Sequence, residues 1–298
     1  NIPKGMRIID DFVFFKCRSL ASVTLHEGLI EIGNNAFNKC SSLDSITLPK
    51  SMTSILFNAF EDCISLSSIN IPEKVTVINE RTFCGCTSLA SIRFPKTITY
   101  IGEGAFKRCS SLKAIDIPHG VTIIKDDTFK CCTSLYFVTL PITLEEIHGS
   151  WNQGAFEGCT SLRSITLPKG VTLIKGYVFC DCISLESITL SESLKEIGTN
   201  AFQGCKSLVA INLPNKLKKI GWSAFRECTL LASISIPEGV TTLEVNIFSG
   251  CTSLTSITLP TGLTTIERQA FEGCMSLVSI NIPETVTRLG CLELTLLN

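Results

Sequence analysis

Histidine is scarce in this chain: three residues in 298, at His26, His119 and His148. No two of them occupy equivalent positions, so none is spaced to share a metal or relay a proton with another. His119, beside Gly120, reads as a solvated turn residue. A glycine-rich phosphate loop and a nucleophile elbow are both missing, which removes the common motif-defined enzymes. No cofactor is expected. Clustered charge is missing too. The chain carries 26 basic and 27 acidic residues, net −1, with no block of one sign. That excludes nucleic acid and anionic membrane as main partners, because both need a concentrated basic footprint. No apolar run approaches the roughly 18 residues of a membrane span, so membrane insertion is not expected in this segment. The opening residues do not read as a signal peptide. Asn1-Ile2-Pro3 instead matches Asn281-Ile282-Pro283, the close of a repeat, so the chain is expected to be a piece of a longer array.

The sequence is rich in repetition. A Cys with Phe three residues before it and Leu three after recurs at Cys17, Cys40, Cys63, Cys86, Cys109, Cys132, Cys159, Cys182, Cys205, Cys228, Cys251 and Cys274. The step is 23 residues except from Cys132 to Cys159, where it is 27. A fixed period of about 20–50 residues marks a solenoid. Two domains would suit an ordinary chain of this length. In a solenoid each coil touches only its neighbours and the core grows linearly, so residues 1–298 are expected to form one domain.

Within a repeat, Ser164-Ile165-Thr166-Leu167 alternates polar and apolar residues and predicts a half-buried strand. Pro168 ends it, Lys169-Gly170 turns the chain, and Val171-Thr172-Leu173-Ile174 predicts a second extended piece. A short helical segment is expected around Phe179 before Cys182 closes the coil. Leu stands three residues after every repeat Cys and Ile or Val six after, columns that stack into apolar ladders.

The twelve repeat cysteines are part of this pattern. Stacked coils put equivalent residues about 4.8 Å apart, within the Cα range of a disulfide, but stacked side chains point the same way. Buried free thiols acting as small apolar fillers are the expectation. The additional Cys84, Cys131, Cys180 and Cys291 form close pairs with repeat cysteines or stand alone, without the converging pairs that structural zinc needs.

The pattern Ile-Gly-x-x-Ala-Phe-x-x-Cys-x-Ser-Leu is carried clearly by Ile101-Gly102-Glu103-Gly104-Ala105-Phe106 with Cys109-Ser110-Ser111-Leu112. It recurs in Ile197-Gly198-Thr199-Asn200-Ala201-Phe202 with Cys205-Lys206-Ser207-Leu208. It resembles the BspA-like, or Treponema pallidum-type, leucine-rich repeats over nearly the whole chain. The resemblance implies an α/β leucine-rich solenoid of about twelve 23-residue coils, with a parallel sheet on the concave face and short helical turns. It also implies a non-enzymatic protein-binding module. Members occur at the surfaces of bacteria and parasitic protists as adhesins for host matrix proteins, and some eukaryotic relatives look cytoplasmic.

Recognition is expected where the pattern varies or breaks. Seven residues after each Cys, the outward strand positions are mostly Thr, Asn and Ser, with charges at Arg93 and Asp116 on adjacent coils. These two are expected to pair across the strands. A Ser-x-Thr array also resembles ice-binding surfaces, but its Arg, Asp and Asn interruptions argue against that use. Four extra residues fall around 148–151, His148-Gly149-Ser150-Trp151, after a strand that carries Tyr136 and Phe137. Tyr136, Phe137, Trp151, His148, Arg93 and Asp116 are therefore the candidate binding residues, since exposed aromatics are enriched at interface hot spots. The competing expectation is that Trp151 folds back to cover those rings; Trp222 is expected to pack at a coil edge. The ending 290–298 departs from the repeat, and neither end carries the polar cap a solenoid usually needs. The expected partner is a protein ligand and the expected location the cell surface or exterior. The alternative is an intracellular scaffold, favoured by the many cysteines and by the absence of any Asn-x-Ser/Thr sequon.

Overall fold

The alternation Ser-Ile-Thr does set the first strand of each coil, and the Ile-rich piece after the proline sets the second. The structure, a computed structural model, describes residues 1–290, so the irregular ending expected over 290–298 lies beyond Gly290 outside the described residues. Contacts divide the chain into two compact units, Asn1–Leu144 and Glu145–Asn298.

In the first unit the leading strands are Ser22–Val23, Ser45–Ile46, Ser68–Asn70, Ser91–Arg93, Ala114–Asp116 and Phe137–Thr139. Pairing is parallel and shifted by one repeat, as in Ser68↔Ser91 and Ala114↔Phe137. The second strands pair the same way on another side of the coil, Ile9↔Ile32, Ile32↔Ile55 and Ile78↔Ile101. In the second unit, Ser164–Thr166 pairs with Ser187–Thr189 and Ser233–Ser235 with Ser256–Thr258; Ala210 makes a lone bridge to Ser233. Its second strands run Ile147↔Ile174, Ile174↔Ile197 and Ile197↔Ile220. The step from Ile147 to Ile174 is 27 residues, so the strand register survives the insertion and the surplus is looped out after Ile147.

Between second strand and repeat Cys the chain makes consecutive turns; there is no helix among the described residues. The reason is local. Two residues per coil sit in the left-handed region, such as Asn35 (φ 55°) with Lys39 (φ 62°), and Tyr177 (φ 61°) with Asp181 (φ 56°). A right-handed helix cannot pass through them. Successive N–H groups therefore alternate targets. Cys180 and Cys182 donate back to the carbonyls of Tyr177 and Phe179, at 3.0 and 3.2 Å. Tyr177, Phe179 and Asp181 donate to the next coil at Thr199, Ala201 and Gln203, 2.7–2.9 Å away. A helix would spend all of these donors inside the coil. The turns leave three of them to tie one coil to the next.

The core is the set of repeat columns. Phe14, Phe37, Phe60, Phe83, Phe106 and Phe129 stack in the first unit at 5.1–5.7 Å between centroids. Phe156 through Phe271 do so in the second at 5.5–5.9 Å. Those spacings lie in the favourable range for offset aromatic pairs. The repeat thiols do more than fill space. Ten of the Sγ atoms lie 3.1–3.2 Å from the carbonyl of the Phe 26 residues earlier, as Cys63 to Phe37 and Cys205 to Phe179. Cys40, Cys86, Cys109, Cys132, Cys182, Cys228, Cys251 and Cys274 repeat the contact. The thiol is a weak donor, and here it adds a further axial link per coil. The ladder cysteines Cys40, Cys63, Cys86, Cys109, Cys132, Cys182, Cys205, Cys228, Cys251 and Cys274 are free thiols.

Candidate functional site

In the first unit the leading strands bury their middle residue and turn the residues on either side of it outward. Buried Ile69, Ile92 and Ile115 alternate with exposed Ser68, Asn70, Ser91, Arg93 and Asp116. Phe137 occupies the slot that holds Ala114 on the neighbouring strand and Ser in most other coils. Its ring is 53 % exposed, and Tyr136, just before the strand, is 54 % exposed. Two adjacent aromatics thus stand on a face made mostly of small polar side chains. Arg93 and Asp116 share that face, but among the described residues no ion pair joins them. The register puts Thr139 opposite Asp116, and the Thr139 hydroxyl donates to Asp116 Oδ1 at 2.6 Å. A hydroxyl already opposite costs little side-chain entropy to engage, whereas an exposed Arg–Asp pair gains little at a surface.

The second unit holds Trp151 and His148, in the residues looped out after Ile147. The loop is held by Ala155 N–H on the His148 carbonyl (3.2 Å) and by Ser150 Oγ–H on Gln153 Oε1 (2.7 Å). It is also pressed close to the next coil. A Cβ on Gly149 would come within 1.9 Å of the Gly176 carbonyl oxygen, and one on Gly154 equally close to that of Tyr177. Trp151 is 83 % exposed and leans on Tyr177, with ring centroids 6.0 Å apart and planes tilted by 53°. Two coils further on, Trp222 is 59 % exposed, so it does not pack away at the coil edge. Its indole N–H donates to Glu244 at 2.8 Å, which fixes the ring. Trp151, Tyr177 and Trp222 line one groove of about 560 Å³, floored by Gly176, Gly198 and Thr199. Thr199 and the two glycines leave the gap into which a group could enter.

Charges around this groove are closed on one another. Glu146 receives His148 Nε2 at 2.7 Å and Lys175 Nζ at 3.4 Å. The His148 hydrogen bond, with Lys175 adding, holds the Glu146 carboxyl below its ordinary value. Lys219 Nζ meets Glu196 at 2.9 Å. The aromatics Tyr177 and Trp222 escape a sequence search because they occupy non-equivalent positions on different coils. A usable signal was that both tryptophans of the chain fall in the stretch just after a second strand.

The buried ladder thiols offer no reactive centre. Burial pushes Cys40, Cys84 and Cys274 up to about 11, and Cys63, Cys86, Cys109, Cys132, Cys182, Cys205, Cys228 and Cys251 higher still. A thiolate is the nucleophile and metal ligand, so such groups are inert. Among the described residues no three His, Cys, Asp or Glu side chains gather into a metal site; Cys291 lies outside those residues. No helix among them is long and apolar enough to cross a membrane.

Parallel short strands, axial ladders and a polar face interrupted by aromatics define a leucine-rich repeat solenoid of about twelve turns at 23-residue spacing. The model of the BspA type leucine rich repeat region matches residues 1–80, 53–185, 149–238 and 172–291, and the chain belongs to that family. A leucine-rich repeat protein from Bacteroides ovatus is 33 % identical, with TM-score 0.74, covering 96 % of this chain and 81 % of its own. A leucine rich cell surface protein from Faecalibacterium prausnitzii is 28 % identical, with TM-score 0.58, over 91 % of this chain and 81 % of its own. The T. pallidum leucine rich repeat protein is 37 % identical, with TM-score 0.51, over 55 % of this chain and 77 % of its own. No curated protein matches the chain. Leucine-rich repeat proteins are in general non-enzymatic structural or binding modules.

Proposed function

We propose that the chain is a recognition module of the cell surface that holds a protein ligand, such as a host or matrix protein, in the manner of an adhesin. The observation that carries this reading is the Tyr136–Phe137 pair, two half-exposed aromatics on a strand face made mostly of Ser, Thr and Asn. Aromatic anchors supply large contact area at low entropic cost, and polar neighbours form the rim that excludes water. Arg93 and Asp116 add charge to the same face and act on orientation more than on affinity. Trp151 and His148 contribute a second contact in the second unit. The description of the F. prausnitzii relative as a cell surface protein supports the location.

The test is binding of wild type and of Tyr136→Ala/Phe137→Ala to immobilised matrix proteins and to intact host cells. A loss of roughly tenfold or more is expected, since truncating hot-spot aromatics costs about 2 kcal/mol or more. Equal binding by the two proteins removes the strand-face site. The alternative, an intracellular scaffold, draws on the free thiols of the ladder, such as Cys63, Cys109 and Cys205, which suit a reducing compartment. Recovery of the native protein from the cytosolic fraction, with none at the cell surface, would favour it.

A further inference from the structure

Trp151, Tyr177 and Trp222 form a row that the repeat pattern does not require. In most other coils the position of Trp222 is taken by small, polar or charged residues, among them Thr199, Glu103 and Asn34, with Phe57 the one other aromatic there. The row has a gap. Trp151 leans directly on Tyr177, but Trp222 stands two coils from Tyr177, and the coil between lines the groove with Glu196, Gly198 and Thr199 and no aromatic. Two aromatic walls therefore bound a slot whose width is two coil steps, on the order of 10 Å at the spacing of stacked strands.

Three observations restrict what fits. The nearby charges are already paired, Lys175 with Glu146 and Lys219 with Glu196, so the slot does not call for an ion. Two of the nearby hydrogen-bonding groups are engaged as well, the Trp222 indole N–H on Glu244 and the Ser150 hydroxyl on Gln153. A hydroxyl-dense ligand such as a sugar would surrender its water there with few partners in exchange. The separation of the two walls is a third restriction. A polyproline II strand has three residues per turn and rises about 3.1 Å per residue, so residues i and i+3 present the same face about 9 Å apart. That is close to the separation of the Tyr177 and Trp222 walls. Such a strand keeps its backbone solvated, has little entropy left to lose, and docks its rings into aromatic-lined grooves.

We propose that the Trp151–Tyr177–Trp222 groove takes an extended proline-containing segment of the protein partner, with two prolines three residues apart seated against Tyr177 and Trp222. This inference rests on the reading that the chain binds protein, and it assigns Trp151 to a contact separate from the strand face.

Both tryptophans of the chain line this groove, so intrinsic tryptophan emission reports on it without a label. Capped decaproline titrated into the full chain should give a saturable change in emission, and a ten-residue Gly-Ser peptide none. Trp222→Ala and Tyr177→Ala should each raise the decaproline Kd roughly tenfold. Trp222→Phe, which keeps the apolar wall, should restore most of the affinity. Circular dichroism melts of each variant establish that it is folded before it is compared. Tyr136→Ala/Phe137→Ala should leave the decaproline titration unchanged, which separates failure of the groove from failure of the strand face. A saturable response to cellohexaose with none to decaproline overturns the assignment, as does no response to either at millimolar concentration. Equal decaproline binding by wild type and Trp222→Ala overturns it too.

Discussion

Replacing Cys205 separates two roles of the repeat thiol. Cys205 is fully buried, and its Sγ lies 3.2 Å from the Phe179 carbonyl on the preceding coil. That carbonyl also accepts the Cys182 N–H at 3.2 Å, so it does not become an orphan when the thiol is removed. Cys205→Ala therefore loses the transfer energy of one sulfur, about 1 kcal/mol by analogy with a buried methylene, and leaves a methyl-sized void costing about 1 kcal/mol more. The expected destabilisation is about 2 kcal/mol. Cys205→Ser loses the same apolar contact but keeps a donor aimed at the Phe179 carbonyl. If the thiol donates, the serine variant should be no less stable than the alanine variant. If the thiol is only an apolar filler, burying a poorly matched hydroxyl should cost about 1–3 kcal/mol beyond alanine. Equilibrium urea unfolding followed by circular dichroism, on wild type and both variants, measures the difference. A serine variant less stable than alanine by more than about 1 kcal/mol would refute the axial thiol bond.

Phe202, stacked between Phe179 and Phe225 at 5.5 Å on each side, should cost about 3–5 kcal/mol when changed to Ala, read from the same urea transitions. Gly154→Ala has no room beside the Tyr177 carbonyl and should destabilise by about 1–3 kcal/mol through overpacking, seen as a lower melting temperature. Glu227 holds a left-handed φ of 60° where the neighbouring coils carry Gly204 and Gly250. Glu227→Gly should gain about 0.5–1 kcal/mol, because relief of the left-handed strain exceeds the added freedom of the unfolded chain. Alkaline pH should unfold the protein. Burial raises the folded thiols above their ordinary value, so their contribution is complete below about 9 and falls as pH climbs through about 11 for Cys40 and Cys274. The urea midpoint should hold between pH 7 and 8 and drop steeply from about pH 9 upward, each coupled thiol adding about 1.4 kcal/mol per pH unit. A midpoint unchanged to pH 10.5 contradicts it.

The Phe, Cys, Leu and Ile columns were legible in the sequence because each repeats at one position of the coil, and a buried column tolerates little else. The strand face was legible for the same reason in negative, from the outward slots where Tyr136 and Phe137 break a polar run. The turn segment was misread as helix. Its signal lay in Asn35, Asn58, Asp127, Asn200 and Asn246, residues that tolerate left-handed φ, at one repeated position before Phe. The thiol-to-carbonyl bond was invisible, since a weak donor and an apolar filler place the same residue in the same slot. The Arg93–Asp116 pairing failed because sequence adjacency of coils does not rank Thr139 against Arg93 as the partner of Asp116. The groove was only half legible. Trp151 announced itself through the insertion, but Tyr177 and Trp222 join it through stacking of non-equivalent positions on separate coils.

Pulsed iodoacetamide labelling of the native protein, read residue by residue by mass spectrometry, tests most directly that the Phe-x-x-Cys-x-x-Leu stretch is the core. Exposed Cys17 should label within the pulse, while Cys63, Cys109, Cys205 and their ladder equivalents should stay unmodified until urea unfolds the chain. Rapid labelling of those ladder thiols in native protein, or disulfides between adjacent coils, would contradict the account.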